Sequence, residues 1–212
     1  DNMGRQPGHA AGLSAGQLAA QALAIVDQEG LPALTLRKLA RWVGVEPMSI
    51  YHYFPNKDAL LDGVWDEVLS EAALPTDDPA VTWQDYIRGL AGELRVVLLR
   101  HPNALPIMLG RSARTTASLD VVNSILASLT SKGLPLPVAV DVVNSITAFV
   151  MAHTLNEHAL APTAPEAIDP QRHPVLAAVV DQGIGAGAGD DARRFALAID
   201  AFIAGFTPQP SR

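Results

Sequence analysis

The 212-residue chain contains no cysteine. That absence removes disulfides, thiolate nucleophiles and cysteine-ligated metals from consideration. Aromatic residues make up only 5% of the chain, which argues against a pocket that stacks flat dyes. Long apolar runs are missing as well. The stretch from Val138 to Leu155 is broken by Asp141, Asn144, Ser145 and His153, so it reads as a packed helix and not as a bilayer span of roughly 20 apolar residues. The N-terminus lacks a basic-then-apolar signal pattern; a cytoplasmic protein with no membrane partner is expected. No period-2 strand alternation appears. The glycine cluster "GIGAGAG" (183–189) follows no strand, which sets aside a dinucleotide fingerprint.

What is present is an apolar, helix-rich chain. With 49% hydrophobic residues and a mean hydropathy of +0.18 it can bury a substantial core, which argues against disorder. The net charge of −7 opposes nucleic-acid binding in sum but not in distribution. Between Thr35 and Lys57 the bases Arg37, Lys38, Arg41 and Lys57 face a single acid, Glu46, and most acidic residues lie beyond residue 63. A local positive window is what phosphate contacts require.

Capping and periodicity place the helices. Ser14 and Gln17 form a capping-box pattern, in which each side chain satisfies a backbone N–H at a helix start, and Leu13 and Leu18 flank it as a hydrophobic staple. This helix is expected to end near Gly30. A second spans Thr35 to Val43 and stops at Gly44. Pro47 suits the first turn of a third, and Pro55 stops it after Phe54. On that short helix Ile50 and Phe54 make one narrow buried face, so Met48, Ser49, Tyr51 and His52 must point largely outward. Asn56 caps a fourth helix, which fades at the loop "LPTDDPA" (74–80). Further helices are expected near 82–100, 103–109, 115–132, 137–159, 174–182 and 190–206. The stretches "APTAPEAIDPQRHP" (161–174) and "GIGAGAG" are expected to be loops.

Two helices joined by the tight turn Gly44 to Glu46 have the lengths of a helix-turn-helix. In that motif the second helix enters the major groove. The ungapped run "LTLRKLARWVGVEPMSIYHYFPNKDALLDGV" (34–64) resembles the DNA-binding domain of the TetR family of regulators. "DDARRFALAIDAFIAGF" (190–206) resembles its tetracycline-repressor type of C-terminal domain. The resemblance implies an all-α fold, with a helix-turn-helix domain over residues 1–63 joined by its fourth helix to a helical ligand-binding and dimerisation domain over 64–212. It assigns Thr35 and Arg37 to phosphates, Met48, Ser49 and His52 to bases, and Tyr51, Tyr53 and Lys57 to the DNA backbone. Hydroxyls, phenols and ammonium groups suit phosphate contacts, which fix register without reading sequence. Reading would fall to Ser49, His52 and apolar contacts from Pro47 and Met48, for instance with thymine methyls. The recognition helix has no Arg, Asn or Gln, so part of the operator is expected to be read through DNA shape.

Phe195, Ile199, Phe202 and Phe206 step by four, three and four, and Val143, Thr147, Val150 and Thr154 make a parallel stripe. Two such helices from each of two subunits would form the family's four-helix dimer bundle; an intramolecular core stripe has the same periodicity. Candidate effector contacts are Tyr86, Leu90, Met108, Arg111, Asn123, Asn144, Thr147, Met151 and Asn156, each equally readable as core or surface. In "IMLGR" (107–111), the family's drug-metal histidine is replaced by Met108, so tetracycline–magnesium sensing is not implied. "HTLNEH" places His153 and Glu157 four apart on one face, but lacks the order of a zinc-hydrolase helix. No metal and no cofactor are expected. The function implied is a ligand-responsive repressor, a homodimer on palindromic double-stranded operator DNA, released by a small-molecule effector. An activator on the same scaffold is the alternative. A helical carrier or enzyme without DNA binding would have to do without cysteine, catalytic triad or phosphate loop.

Overall fold

A computed structural model of the chain describes residues 13–108, 111, 113–159, 168–184 and 188–206. Among them are ten α-helices and no strands, as the patterning predicts: α1 (Ala15–Glu29), α2 (Leu36–Val43), α3 (Pro47–Tyr53), α4 (Lys57–Ser70), α5 (Trp83–Arg100), α6 (Leu105–Met108), α7 (Thr116–Ser131), α8 (Leu136–Ala159), α9 (Pro174–Asp181) and α10 (Ala188–Phe206). The N-terminal segment read for a signal pattern, the first half of "APTAPEAIDPQRHP" and the middle of "GIGAGAG" lie outside the described residues.

The helix starts follow the caps. Ser14 Oγ accepts the Gln17 N–H at 3.1 Å while Gln17 Oε1 accepts the Ser14 N–H at 2.8 Å. Thr35 Oγ1 accepts from Lys38 N at 3.0 Å, and Asn56 Oδ1 accepts from Ala59 N at 2.8 Å. Each such cap is worth about 1 kcal/mol. Gly44 ends α2 in the left-handed region (φ 74°), where a side chain would be strained. Its turn is closed by the Val45 N–H donating to the Ala40 carbonyl at 3.0 Å, the bond pattern of a Schellman stop.

The chain folds as two compact units. The first takes the described residues through Ala72 together with His101–Asp120; the second takes Ala73–Arg100 and the described residues from Val121 onward. In the first, α1 packs along α4, α2 packs on α3, and α6 meets α4. Leu18, Ala22, Ile25, Val26, Leu34, Leu39, Ile50, Leu60, Val64 and Leu105 are fully enclosed there. Burial of each larger side chain contributes roughly 1.5–3 kcal/mol. In the second unit α5, α8 and α10 pack on one another, around Ile87, Ala91, Leu98, Val142, Ile146, Val150 and Ile199.

Two expectations change at this level. Residues 136–158 of α8 form a helix long and apolar enough to cross a bilayer by length and composition, despite the polar interruptions; the structure packs this helix on α5 and α10 with Ala139, Val142, Ile146, Val150 and Thr154 inward. The stripe expected to meet a second subunit also packs within the chain. Phe149 lies 5.9 Å from Phe195 and 5.5 Å from Phe202 between ring centroids, and Phe195, Ile199, Val150 and Thr154 are buried. What α8 leaves outward is a different row stepping by four: Leu136, Val140, Asn144, Ala148, Ala152 and Asn156. Leu197, Ala201 and Ala204 are exposed on α10.

Candidate nucleic-acid interface

α3 begins at Pro47, where a missing N–H leaves no acceptor unsatisfied, and ends as Phe54 N–H donates to the Ile50 carbonyl at 2.9 Å. Ile50 and Phe54 anchor it in the core. Everything else on the helix is then turned outward or lies at the margin. Met48 is 76% exposed, Tyr51 and His52 are exposed, and Pro47 and Ser49 are half-buried. Thr35, Arg37 and Lys57 are exposed in the same unit. Because Thr35 Oγ1 serves the α2 cap as acceptor, its proton stays available for a phosphate oxygen.

Charge is arranged to leave the right cations open. The acid beside Lys57 is Asp58, whose carboxylate accepts from Arg111 Nη2 at 2.8 Å. Lys38 is tied to Glu29 at 2.7 Å and lies 5.8 Å over the Trp42 ring, while the Trp42 indole N–H donates to Gln21 at 3.0 Å. Exposed Arg37, Arg41 and Lys57 carry no such tie among the described residues.

Tyr53 is exposed on α3, and its phenol donates to the Leu13 carbonyl at 2.8 Å, so its one O–H proton is engaged within the chain. The bond ties the start of α1 to the end of α3. Gly63 makes a complementary tie from α4. A Cβ added there would stand 2.8 Å from the Phe54 ring, so only glycine lets the end of α3 seat against α4. The patterning gave no sign of either contact.

Segment 101–120 also joins this unit, which no local pattern announced. Three carboxylates on one face of α4, Asp58, Asp62 and Asp66, engage it. Arg111 takes the first two, its Nη1 reaching Asp62 at 2.5 Å, and Thr115 Oγ1 donates to Asp66 at 2.7 Å. Burial raises the Asp66 pKa above the ordinary value; the Thr115 hydrogen bond opposes this, and the charge of Asp62 adds to it. His101 sits between two acids, its Nδ1 at 2.8 Å from Asp27 and its Nε2 at 3.1 Å from Glu71. Burial pulls its pKa down, but hydrogen bonds and charges from Glu71 and Asp27 outweigh it, and the net direction is upward.

The candidate effector contacts divide between the units. Met108, buried in α6, and Arg111 belong to the first. Arg111 is not an open donor, since its guanidinium is spent on Asp58 and Asp62. In the second unit Tyr86, Leu90 and Met151 are buried and Thr147 is half-buried. Asn123, Asn144 and Asn156 are exposed, the last two on the outward row of α8, so they do not line the interior of the unit. Glu157 pairs bidentately with Arg95 at 2.5 and 3.0 Å, which accounts for it without a metal.

Residues 18–64 match the family of bacterial regulatory proteins of the tetR type, and residues 74–209 match the tetracyclin repressor-like C-terminal domain. The class D tetracycline repressor of Escherichia coli is 30% identical over 161 residues, covering 73% of this chain and 72% of the relative. The transcriptional repressor DrrR1 of Streptomyces coeruleorubidus is 30% identical over 130 residues, 61% of this chain; the chain covers 48% of that relative's length. Among solved structures, apo ActR from Streptomyces coelicolor superposes with a TM-score of 0.78 at 26% identity, over 92% of this chain and 94% of that one. ActR in complex with actinorhodin gives 0.76 at 28%, over 92% and 96%. The matched segments span both the helix-turn-helix and the helical remainder, and the chain belongs to the TetR family of DNA-binding, ligand-responsive transcriptional repressors.

Proposed function

We propose that the chain acts as a cytoplasmic homodimer on a palindromic operator, with residues 1–63 as the DNA-binding domain and 64–212 as the effector and dimerisation domain. The observation that carries this is the outward face of the first unit. Phosphate donors at Thr35, Arg37, Tyr51 and Lys57 surround a helix whose Met48, Ser49 and His52 are free to meet base edges. Two copies would set their recognition helices one DNA turn apart, about 34 Å. The outward row of α8, with Ala148 and Ala152, and the small residues Ala201 and Ala204 of α10 offer close helix approach to a second copy. An effector would act through a differential affinity for two head spacings, and the buried Leu90 and Met151 with the half-buried Thr147 are its candidate contacts. That relatives are named as transcriptional regulators supports a role without catalysis.

An electrophoretic shift with the DNA upstream of the protein's own gene tests the proposal. Binding should fall steeply with salt and weaken in Tyr51→Ala and Lys57→Ala. Salt-insensitive binding that both variants leave unchanged would refute it.

A further inference from the structure

We infer that Arg111 sets operator affinity without touching DNA, by neutralising Asp58, the carboxylate next to Lys57. The inference rests on the reading of Lys57 as a phosphate donor and adds a residue that acts through another, far along the chain.

α4 opens on two exposed charges of opposite sign, Lys57 and Asp58. Asp58 lies in the first turn, where a negative charge stabilises the positive end of the helix dipole. The same charge opposes DNA. Consecutive Cα atoms are about 3.8 Å apart, so a phosphate held by Lys57 meets the Asp58 charge at a separation on the order of a Debye length, about 8 Å at physiological salt. Left bare, the Asp58 carboxylate, whose side chain is 80% exposed, would repel that phosphate and compete for Lys57.

Arg111 resolves the conflict from within the same unit. Its Nη2 donates to Asp58 Oδ1 at 2.8 Å, and its Nη1 reaches the Asp58 carbonyl at 3.4 Å and Asp62 Oδ1 at 2.5 Å. The guanidinium is thus fixed beneath Asp58, and with its side chain only 15% exposed it is not placed to grip a phosphate itself. Asp62, with a side chain 21% exposed, is the acid that suffices to tether residues 101–120 to α4. An ion pair to a carboxylate as exposed as Asp58 adds little stability. The arm that reaches it is accounted for by the charge it cancels at the DNA-facing end of α4.

Two substitutions break the ion pair from opposite ends and should move operator affinity in opposite directions. Asp58→Asn keeps an acceptor for Arg111 but removes the negative charge; Arg111→Gln leaves that charge bare. With the full chain and the DNA upstream of its own gene, followed by fluorescence anisotropy, Asp58→Asn should tighten binding about threefold and Arg111→Gln should weaken it about threefold. The double variant should return to within about twofold of wild type, and both single differences should shrink as salt rises over roughly 0.1–0.3 M. A purely structural tether gives the other pattern, in which both single variants weaken binding, the double variant is no better than Arg111→Gln, and the loss persists at high salt. That pattern, or unchanged affinity in both single variants, would overturn the inference. Should Arg111→Gln lack a native circular-dichroism spectrum, Asp58→Asn decides, with unchanged or weaker binding counting against it. Lys57→Ala separates this inference from the reading beneath it. If Lys57→Ala leaves operator binding intact, both fall; if it weakens binding while the tether pattern is found, the inference alone falls.

Discussion

In the first unit the distant segment 101–120 is held, beside the buried Leu105 and Met108, by ionic and hydrogen-bonded contacts: His101 between Asp27 and Glu71, Arg111 on Asp58 and Asp62, Thr115 on Asp66. In the second the corresponding centre is aromatic. Phe149, His153, Phe195 and Phe202 crowd together, with Arg95, itself paired with Glu157, lying 5.2 Å over Phe195. Polar ties exchange with water at little net cost, whereas an aromatic cluster opened to water loses its whole burial energy. Both units rest on apolar cores; the contrast lies in the polar ties that hold the distant segment of the first and the aromatic cluster that joins α8 to α10 in the second.

Four substitutions test that contrast, from the largest expected effect on stability to the smallest. Phe195→Ala should cost about 3–5 kcal/mol in urea unfolding followed by circular dichroism; a cost below about 1 kcal/mol would remove the aromatic centre from the argument. Gly63→Ala drives a methyl into the Phe54 ring and should cost about 1–3 kcal/mol, with a parallel loss of operator affinity as the end of α3 is displaced. Operator affinity that survives would mean that Phe54 yields without moving the helix.

His101→Gln should cost about 1 kcal/mol, and its cost should depend on pH. Because the folded pKa is raised above the unfolded value near 6.5, the extra stability is fully present below that value and is lost as pH rises through the folded pKa. The difference between wild type and variant should therefore shrink with alkalinity; one that grows would reverse the assignment. Lys57→Ala should leave stability within about 0.5 kcal/mol yet reduce the salt slope of operator binding by about one. An unchanged slope would remove Lys57 from the phosphate contacts.

Much of the helix order was legible because local chemistry punctuates it. Ser14, Thr35 and Asn56 are caps whose partners lie three residues away, and Gly44, Pro47 and Pro55 act on the backbone at their own positions. The grouping of elements was not legible. Arg111 finds Asp58 and Asp62 some fifty residues back, and nothing within a helical turn of Arg111 encodes that choice. The α10 stripe shows the same limit from another side. Its spacing marked Phe195 and Ile199 for burial, but periodicity does not name the neighbour, which proved to be α8 of the same chain. At the interface, Ile50 as the buried anchor of α3 followed from spacing, whereas the Tyr53 hydroxyl was claimed by a carbonyl forty residues earlier.

The first unit is assembled from two separate pieces of chain, and this bears on how regulators of this architecture can be recombined. A hybrid that grafts this head onto another protein's body by a single cut after Ala72 would discard Arg111 and Thr115. It would leave Asp62 and Asp66 facing whatever residues the new body supplies. A transplant that keeps specificity must therefore carry residues 101–120 as a second insert, or borrow a body that already offers a cation and a hydroxyl at matching positions.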